Sequence, residues 1–219
     1  MNVLAVAAHP DDEILGLGGV LARHVQDGDI VRVVIVGEGS TSRSDVDPGD
    51  LSALLESSVA AAKILGYEAP IHLGLPDNRL DSFDLLELVK KIEGIVIDIK
   101  PDVIYTHHRG DLNLDHRIVY DAVRIAARPL PGGGVKAMYT FETVSSTEWG
   151  AVTFEPNRYV DIGSFLDKKM NALDAYYEEM RPFPHPRSKQ AIEALARMRG
   201  ASVGLSAAEA FQTVFEIIK

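Results

Sequence analysis

The sequence contains no cysteine, which excludes disulfides, thiolate metal sites and cysteine nucleophiles. It has no apolar stretch near the roughly 18 residues of a membrane span, and its start lacks the basic segment of a signal peptide. Basic residues are in deficit, because 22 Lys and Arg face 32 Asp and Glu and leave a net charge of −10. We therefore expect a cytoplasmic protein that binds neither membranes nor nucleic acid.

What is present is typical of one globular domain. The 219 residues are 46% hydrophobic and 25% charged, proportions that are ordinary for a folded soluble protein. We interpret residues 1–219 as a single domain with a soft internal division near residue 130.

The first two thirds of the chain alternate between apolar runs and amphipathic segments. This order predicts βαβ units and a mostly parallel sheet flanked by helices, an α/β fold. The predicted strands are 3–8, 31–36, 71–73 and 103–106, and the predicted helices are 14–26, 51–65, 83–99 and 116–127. After residue 130 the pattern predicts strands at 136–141 and 158–162, and a C-terminal helical extension made of 165–177, 188–199 and 207–218.

A cluster of polar residues, His9-Pro10-Asp11-Asp12-Glu13, directly follows the first predicted strand. In parallel α/β sheets, ligands bind beyond the carboxyl ends of the strands. One acidic residue would suffice to cap the next helix. Capping does not call for a neighbouring histidine and a second aspartate, so the segment favours a functional site.

A second cluster, residues 106–116, follows the fourth predicted strand and contains three histidines and two aspartates. One His and one Asp from the first cluster, with one His from the second, form the three-ligand set of a catalytic zinc. The remaining carboxylate is then a competent general base for a metal-activated water, which points to hydrolysis of an amide or ester. The spacing leaves open which aspartate is the ligand and which is the base.

These two motifs resemble the PIG-L/LmbE-like metal-dependent N-deacetylases. The resemblance implies a Rossmann-like sheet, a divalent metal that is normally Zn²⁺ with Fe²⁺ as an alternative, and a homo-oligomer. It also implies an N-acetylglucosamine-type substrate that is cleaved to acetate and a free amine. By position, the metal ligands would be His9, Asp12 and His116. Asp11 would be the general base, and Asp115 would hold a neighbouring side chain.

The chain departs from the family at Asn113, where many members have a histidine that holds the oxyanion or donates a proton. An asparagine amide donates a hydrogen bond but cannot give up a proton at neutral pH. His107, His108 and His185 are the candidates for the missing acid. We hypothesise that His185 replaces it, because prolines on both sides hold it rigidly.

Polar residues after the second and third strands are candidates for substrate binding. Arg43 and Asp77 correspond to positions at which family members bind sugar hydroxyls, and His108 is added to them from the second cluster. Glu142 and Trp149 lie in a segment that could close over the site.

Two alternatives remain open. A metal-free nucleotide-binding enzyme is disfavoured, because the glycines at 16, 18 and 19 do not have the dinucleotide spacing and there is no Walker motif. A nucleophilic serine is also disfavoured. Residues 200–204 match the G-x-S-x-G pattern of a nucleophile elbow, but that elbow needs a preceding strand and a later acid and histidine. Here a helix is predicted before the pattern, and no His or Asp follows it. The other alternative is a catalytically altered or non-enzymatic sugar- or nucleotide-binding member of the same fold.

Overall fold

The computed structural model describes residues 1–39, 48–131 and 134–218. Its seven-stranded sheet has the order β3-β2-β1-β4-β5-β7-β6. The strands are β1 Asn2–Ala7, β2 Ile30–Gly37, β3 Ile71–Leu75, β4 Val103–His107, β5 Ala137–Phe141, β6 Arg158–Asp161 and β7 Ala208–Glu216. The helices are α1 Asp12–Gln26, α2 Pro48–Leu65, α3 Leu85–Ile99, α4 Leu114–Ala126, α5 Leu166–Asp174 and α6 Lys189–Ala201.

Strands β1 to β5 run parallel, which confirms the predicted α/β fold. Ala5 of β1 pairs with Val33 on one side and Tyr105 on the other, so β1 is an interior strand of the sheet. Its residues are apolar in succession because both faces of the sheet are covered. One core includes residues of α1, α2, α5 and α6, and the other includes residues of α3 and α4.

The prediction of a final helix over 207–218 is wrong, because this segment forms strand β7. It pairs antiparallel with both β5 and β6. Alanine and glutamate favour a helix locally. Pairing on both sides outweighs that preference, since it buries Ala208, Ala210 and Phe211 in the sheet. The C-terminal extension is therefore two helices and one strand.

Helix α1 starts at the carboxyl end of β1 and is kinked at Leu17, where φ is −148° and ψ is 20°. Gly16 packs on Phe141 and Gly19 packs on Ile162 so closely that a Cβ atom would collide with either side chain. The two glycines thus allow α1 to lie close to β5 and to the residue that follows β6. In the described part of the chain, no helix has the length and apolar character needed to cross a bilayer.

Candidate active site

The ends of β1 and β4 bring His9, Asp12 and His116 together, although 107 positions separate the two histidines in the chain. One ligand atom from each residue lies within 4.8 Å of the others. The Asp12 Oδ2 atom is 3.3 Å from Nδ1 of His9 and 3.3 Å from Nε2 of His116. The imidazole centroids of His9 and His116 are 5.4 Å apart, close enough for both rings to reach a single cation.

The chemistry of these three residues fits a divalent metal. Two imidazoles and a carboxylate form the donor set that zinc takes in catalytic sites. The Oδ1 atom of Asp12 is buried and has no hydrogen-bond partner among the described residues, so its lone pairs are available to a bound cation. Its other oxygen, Oδ2, accepts a hydrogen bond from the His9 backbone N–H at 2.9 Å, which orients the carboxylate.

Carboxylates stand behind both imidazoles, on the side away from Asp12. Asp111 Oδ1 lies 3.2 Å from Nδ1 of His116. Asp115 Oδ2 and Asp77 Oδ1 lie 3.2 Å and 3.1 Å from Nε2 of His9. Such partners orient metal-binding histidines and raise their basicity. Asp77, Asp115 and this face of His9 form a second group of donor atoms within 4.8 Å of one another.

The carboxylates around the site favour positive charge there. Burial by itself lowers the pKa of His9, but the hydrogen bond to Asp115 and the contacts with Asp12 raise it to about 10. Burial raises the pKa of Asp111, but its contact with His116 and its hydrogen bonds from Ser146 and Thr147 bring it down to about 2. A bound cation would supply that positive charge.

The imidazole of His107 packs against the cluster formed by His9, Asp12 and His116. Its Nε2 accepts the Ala8 backbone N–H at 2.8 Å, so the ring proton lies on Nδ1, which is 3.4 Å from the Thr143 hydroxyl. The ring stacks on His116 with centroids 3.9 Å apart. Burial, together with the charge of His116, lowers the pKa of His107 to about 3. The ring is therefore neutral and buried, which does not suit a proton donor to substrate.

Asp11 lies beside the cluster and faces a cleft of about 160 Å³. Its carboxylate Oδ2 is 2.8 Å from Nη1 of Arg187. Burial raises the pKa of Asp11 to about 7, against the opposing effect of the Arg187 charge. A carboxylate with a pKa near neutrality suits a general base. The cleft is lined by His9, Pro10, Asp11, Gly39, Asp77, Asn78, Asn113, Glu179 and Arg187.

Asn113 lies in the wall of this cleft, at the N-cap of α4. Its Oδ1 accepts the Asp115 backbone N–H at 2.8 Å, and its Nδ2 donates to Asn78 Oδ1 at 3.1 Å. Asparagine is among the preferred N-cap residues because its oxygen satisfies a free N–H of the first helical turn. The same residue therefore sets the start of α4, which carries His116, and presents an amide to the cleft.

Two predicted residues, His185 and His108, do not join the cleft. His185 is exposed, and its Nδ1 accepts the backbone N–H of Arg187 at 3.0 Å; the described residues that line the cleft do not include it. His108 is the first residue after β4, and its side chain lies outside the cleft. There it lines a separate groove and contacts Phe154 and the Val152 carbonyl. Arg43 lies outside the described residues.

Sequence reasoning missed Arg187 and Glu179, which both line the cleft. The proline-rich connector, residues 181–187, does reach the site, but it contributes Arg187 instead of the predicted histidine. The two residues predicted to close over the site do not line the cleft either. Glu142 pairs with Arg199 at 2.7 Å, and the Trp149 side chain is exposed.

Two curated relatives with deacetylase names are similar to the chain. It is 35% identical over 135 residues to the uncharacterized deacetylase YaiS of Escherichia coli (strain K12), covering 59% of this chain and 70% of that protein. It is 26% identical over 239 residues to the 1D-myo-inositol 2-acetamido-2-deoxy-alpha-D-glucopyranoside deacetylase of Mycobacterium sp. (strain JLS), covering 85% and 77%.

Other similarities extend beyond proteins named as deacetylases. The 4-oxalmesaconate hydratase of Pseudomonas putida is 28% identical over 193 residues, covering 78% of this chain and 71% of that protein. The crystal structure of the conserved protein TT1542 from Thermus thermophilus superposes with a TM-score of 0.79 at 25% identity, covering 100% of this chain and 97% of that one.

The family model described as PIG-L, GlcNAc-PI de-N-acetylase, matches residues 4–127. This range exceeds half of the chain and runs from β1 to α4. It includes both motifs, and so all three candidate metal ligands, His9, Asp12 and His116. The chain belongs to the PIG-L family.

Proposed function

We propose that this protein is a zinc-dependent N-deacetylase that hydrolyses the acetamide of an N-acetylglucosamine-type sugar derivative, releasing acetate and a free amine. One observation carries the proposal: three buried metal donors from two strand ends lie beside a further carboxylate, Asp11, that faces a polar cleft. The substrates named for the mycobacterial relative support the acetamido sugar. The cytoplasmic location and the homo-oligomeric state stay predictions.

His9, Asp12 and His116 would hold the metal, with Asp111, Asp115 and Asp77 orienting the two imidazoles. Zinc bound by three protein ligands lowers the pKa of a bound water toward about 7 and polarises a carbonyl.

The side chains of the cleft then divide the remaining work. Asp11 accepts a proton from the attacking water and, once protonated, delivers it to the leaving nitrogen. The Asn113 amide donates a hydrogen bond to the oxyanion. Asp77 and Asn78 lie where they would bind sugar hydroxyls. Because one carboxylate both takes and returns the proton, this scheme needs no histidine at position 113 and no part for His185.

Acetate release from N-acetylglucosamine, N,N'-diacetylchitobiose and an N-acetylglucosaminyl inositol tests the proposal, with zinc content measured on the same samples. Asp11→Asn should lose activity by about 10²- to 10⁴-fold and keep its zinc, because only the base is removed. His116→Ala should lose the zinc itself. Asp121→Asn changes an exposed carboxylate of α4 and serves as the matched control.

Full activity in Asp11→Asn would contradict the assignment of the base, and wild-type zinc content in His116→Ala would contradict the metal site. If none of the compounds releases acetate and the protein instead hydrates 4-oxalmesaconate, its activity would be the one named for the Pseudomonas putida relative. If zinc-loaded protein shows neither deacetylation nor hydration, the result would favour a non-enzymatic binding protein.

A further inference from the structure

The backbone of Asp11 adopts a conformation that is uncommon for a residue with a side chain. Its φ is 102°, in the region that favours glycine. The surroundings hold it there. Its N–H donates to Glu13 Oε2 at 3.1 Å, and the buried Glu13 accepts the Tyr176 hydroxyl at 2.6 Å. Strain of this kind persists only where neighbouring groups impose it, and it is concentrated at functional sites.

The carboxylate of Asp11 is held separately, by Arg187 at 2.8 Å. Arg187 is itself fixed from three directions. Its Nε donates to the Ser145 hydroxyl at 2.8 Å, its Nη1 lies 3.5 Å from Glu179 Oε2, and its backbone N–H donates to His185 at 3.0 Å. The guanidinium thus joins the turn after β1, the loop after β5 and the C-terminal connector.

The burial and charge of this group favour a positioning role over anion binding. Only 3% of the Asp11 side chain and 24% of the Arg187 side chain are exposed, so the pair is largely shielded from water. One guanidinium faces two carboxylates, Asp11 and Glu179, and has no excess positive charge to offer an anionic substrate. The planar guanidinium holds Nη1 against Asp11 while Nε bonds to Ser145, a fixed geometry that a single ammonium group would not reproduce.

We propose that Arg187 is a positioning residue that aims the Asp11 carboxylate at the water and the leaving nitrogen. The inference rests on the proposed function for its kinetic consequence. Its structural content, that the guanidinium determines where the Asp11 carboxylate lies, is independent of the reaction.

The test compares zinc-loaded wild type with Arg187→Ala, Arg187→Lys and Arg181→Ala. Arg181 is an exposed residue of the same connector that bonds only backbone carbonyls among the described residues, and its variant is the control. Arg187→Ala should lower kcat by about 10²-fold, the cost of a base misplaced by about 1 Å. KM and zinc content should stay unchanged. Arg187→Lys should stay impaired, and added guanidinium ion should restore Arg187→Ala but not Arg187→Lys.

Unchanged kcat in Arg187→Ala would overturn the proposal, as would a raised KM with unchanged kcat, which would make Arg187 a substrate ligand. Loss of zinc would overturn it too. Crystal structures of the zinc-loaded wild type and Arg187→Ala give a readout without turnover. A displaced Asp11 carboxylate supports the proposal and an unmoved one refutes it, even if the wild type releases no acetate and the proposed function fails.

Discussion

At the scale of single residues, Asn113 combines a structural and a chemical task. Its oxygen caps α4 through the Asp115 backbone N–H, and its backbone N–H donates to Asp111 Oδ1 at 2.8 Å. The residue therefore ties together Asp111, which lies behind the imidazole of His116, and Asp115, which lies behind that of His9. The amide carries two N–H donors, one of which goes to Asn78.

Two substitutions separate these tasks. Asn113→Ala removes both the cap and the donor, whereas Asn113→Ser keeps a good capping oxygen and removes only the amide. We expect both to lower kcat by about 10²- to 10³-fold, the cost of losing one oxyanion donor. Only Asn113→Ala should also lower the free energy of unfolding, by about 1 kcal/mol. Urea unfolding and acetate release measure the two effects, and wild-type kcat in Asn113→Ser would contradict the oxyanion role.

At the scale of elements, α1 determines where the first motif lies. The kink at Leu17 divides it into two short stretches, and the first of them begins at Asp12. Past the kink, Gly19 lies against Ile162, and a Cβ atom there would be 2.8 Å from Ile162 Cγ2. The absence of a side chain at this position lets the helix approach the chain that follows β6.

Two glycine-to-alanine substitutions test this packing. Gly19→Ala should destabilise the protein by about 1–3 kcal/mol, because overpacking outweighs the better helix propensity of alanine. Gly94→Ala, in the exposed face of α3 with nothing within 4 Å, should instead stabilise by up to about 1 kcal/mol. Urea denaturation measures both. A Gly19→Ala variant as stable as Gly94→Ala would show that the contact with Ile162 is not restrictive.

At the scale of the whole molecule, the C-terminal strand holds the N-terminal helix. From β7, the Glu209 carboxylate accepts the backbone N–H groups of Gly19 at 3.0 Å and Val20 at 2.7 Å, just past the kink of α1. Lys169 bonds to Glu209 at 2.7 Å and to the Leu15 carbonyl at 2.8 Å. Every partner in this buried group is satisfied, so the two ends of the chain are coupled.

Removing one member of this ion pair should unfold the protein at lower urea. Lys169→Met should cost about 3–5 kcal/mol, because the Glu209 charge would be left buried without its partner. Lys189→Met breaks an exposed pair with Asp174 and should cost no more than about 1 kcal/mol. Equal losses in the two variants would mean that Glu209 is not held as a buried charge.

The sequence by itself determined the parallel sheet and the meeting of His9, Asp12 and His116. The apolar runs predicted strands β1 and β4. Because parallel strands end at the same edge of a sheet, the motifs that follow these two strands meet at that edge. His9, Asp12 and His116 could therefore be named from spacing and from the family resemblance. The pairing of β7 with β5 and β6, and the contact of His108 with Phe154, depend on tertiary neighbours that local propensity does not encode.

Only the tertiary structure decided the partner of Asp11. Arg187 lies 176 positions away, in a connector that also contains His185 and Arg181. From the sequence, each of these three basic side chains is an equally good candidate to contact Asp11. The choice among them depends on how the loop after β5 and the connector pack against the turn after β1. Such a contact arises from the folded arrangement of three segments, and no periodicity along the chain encodes it.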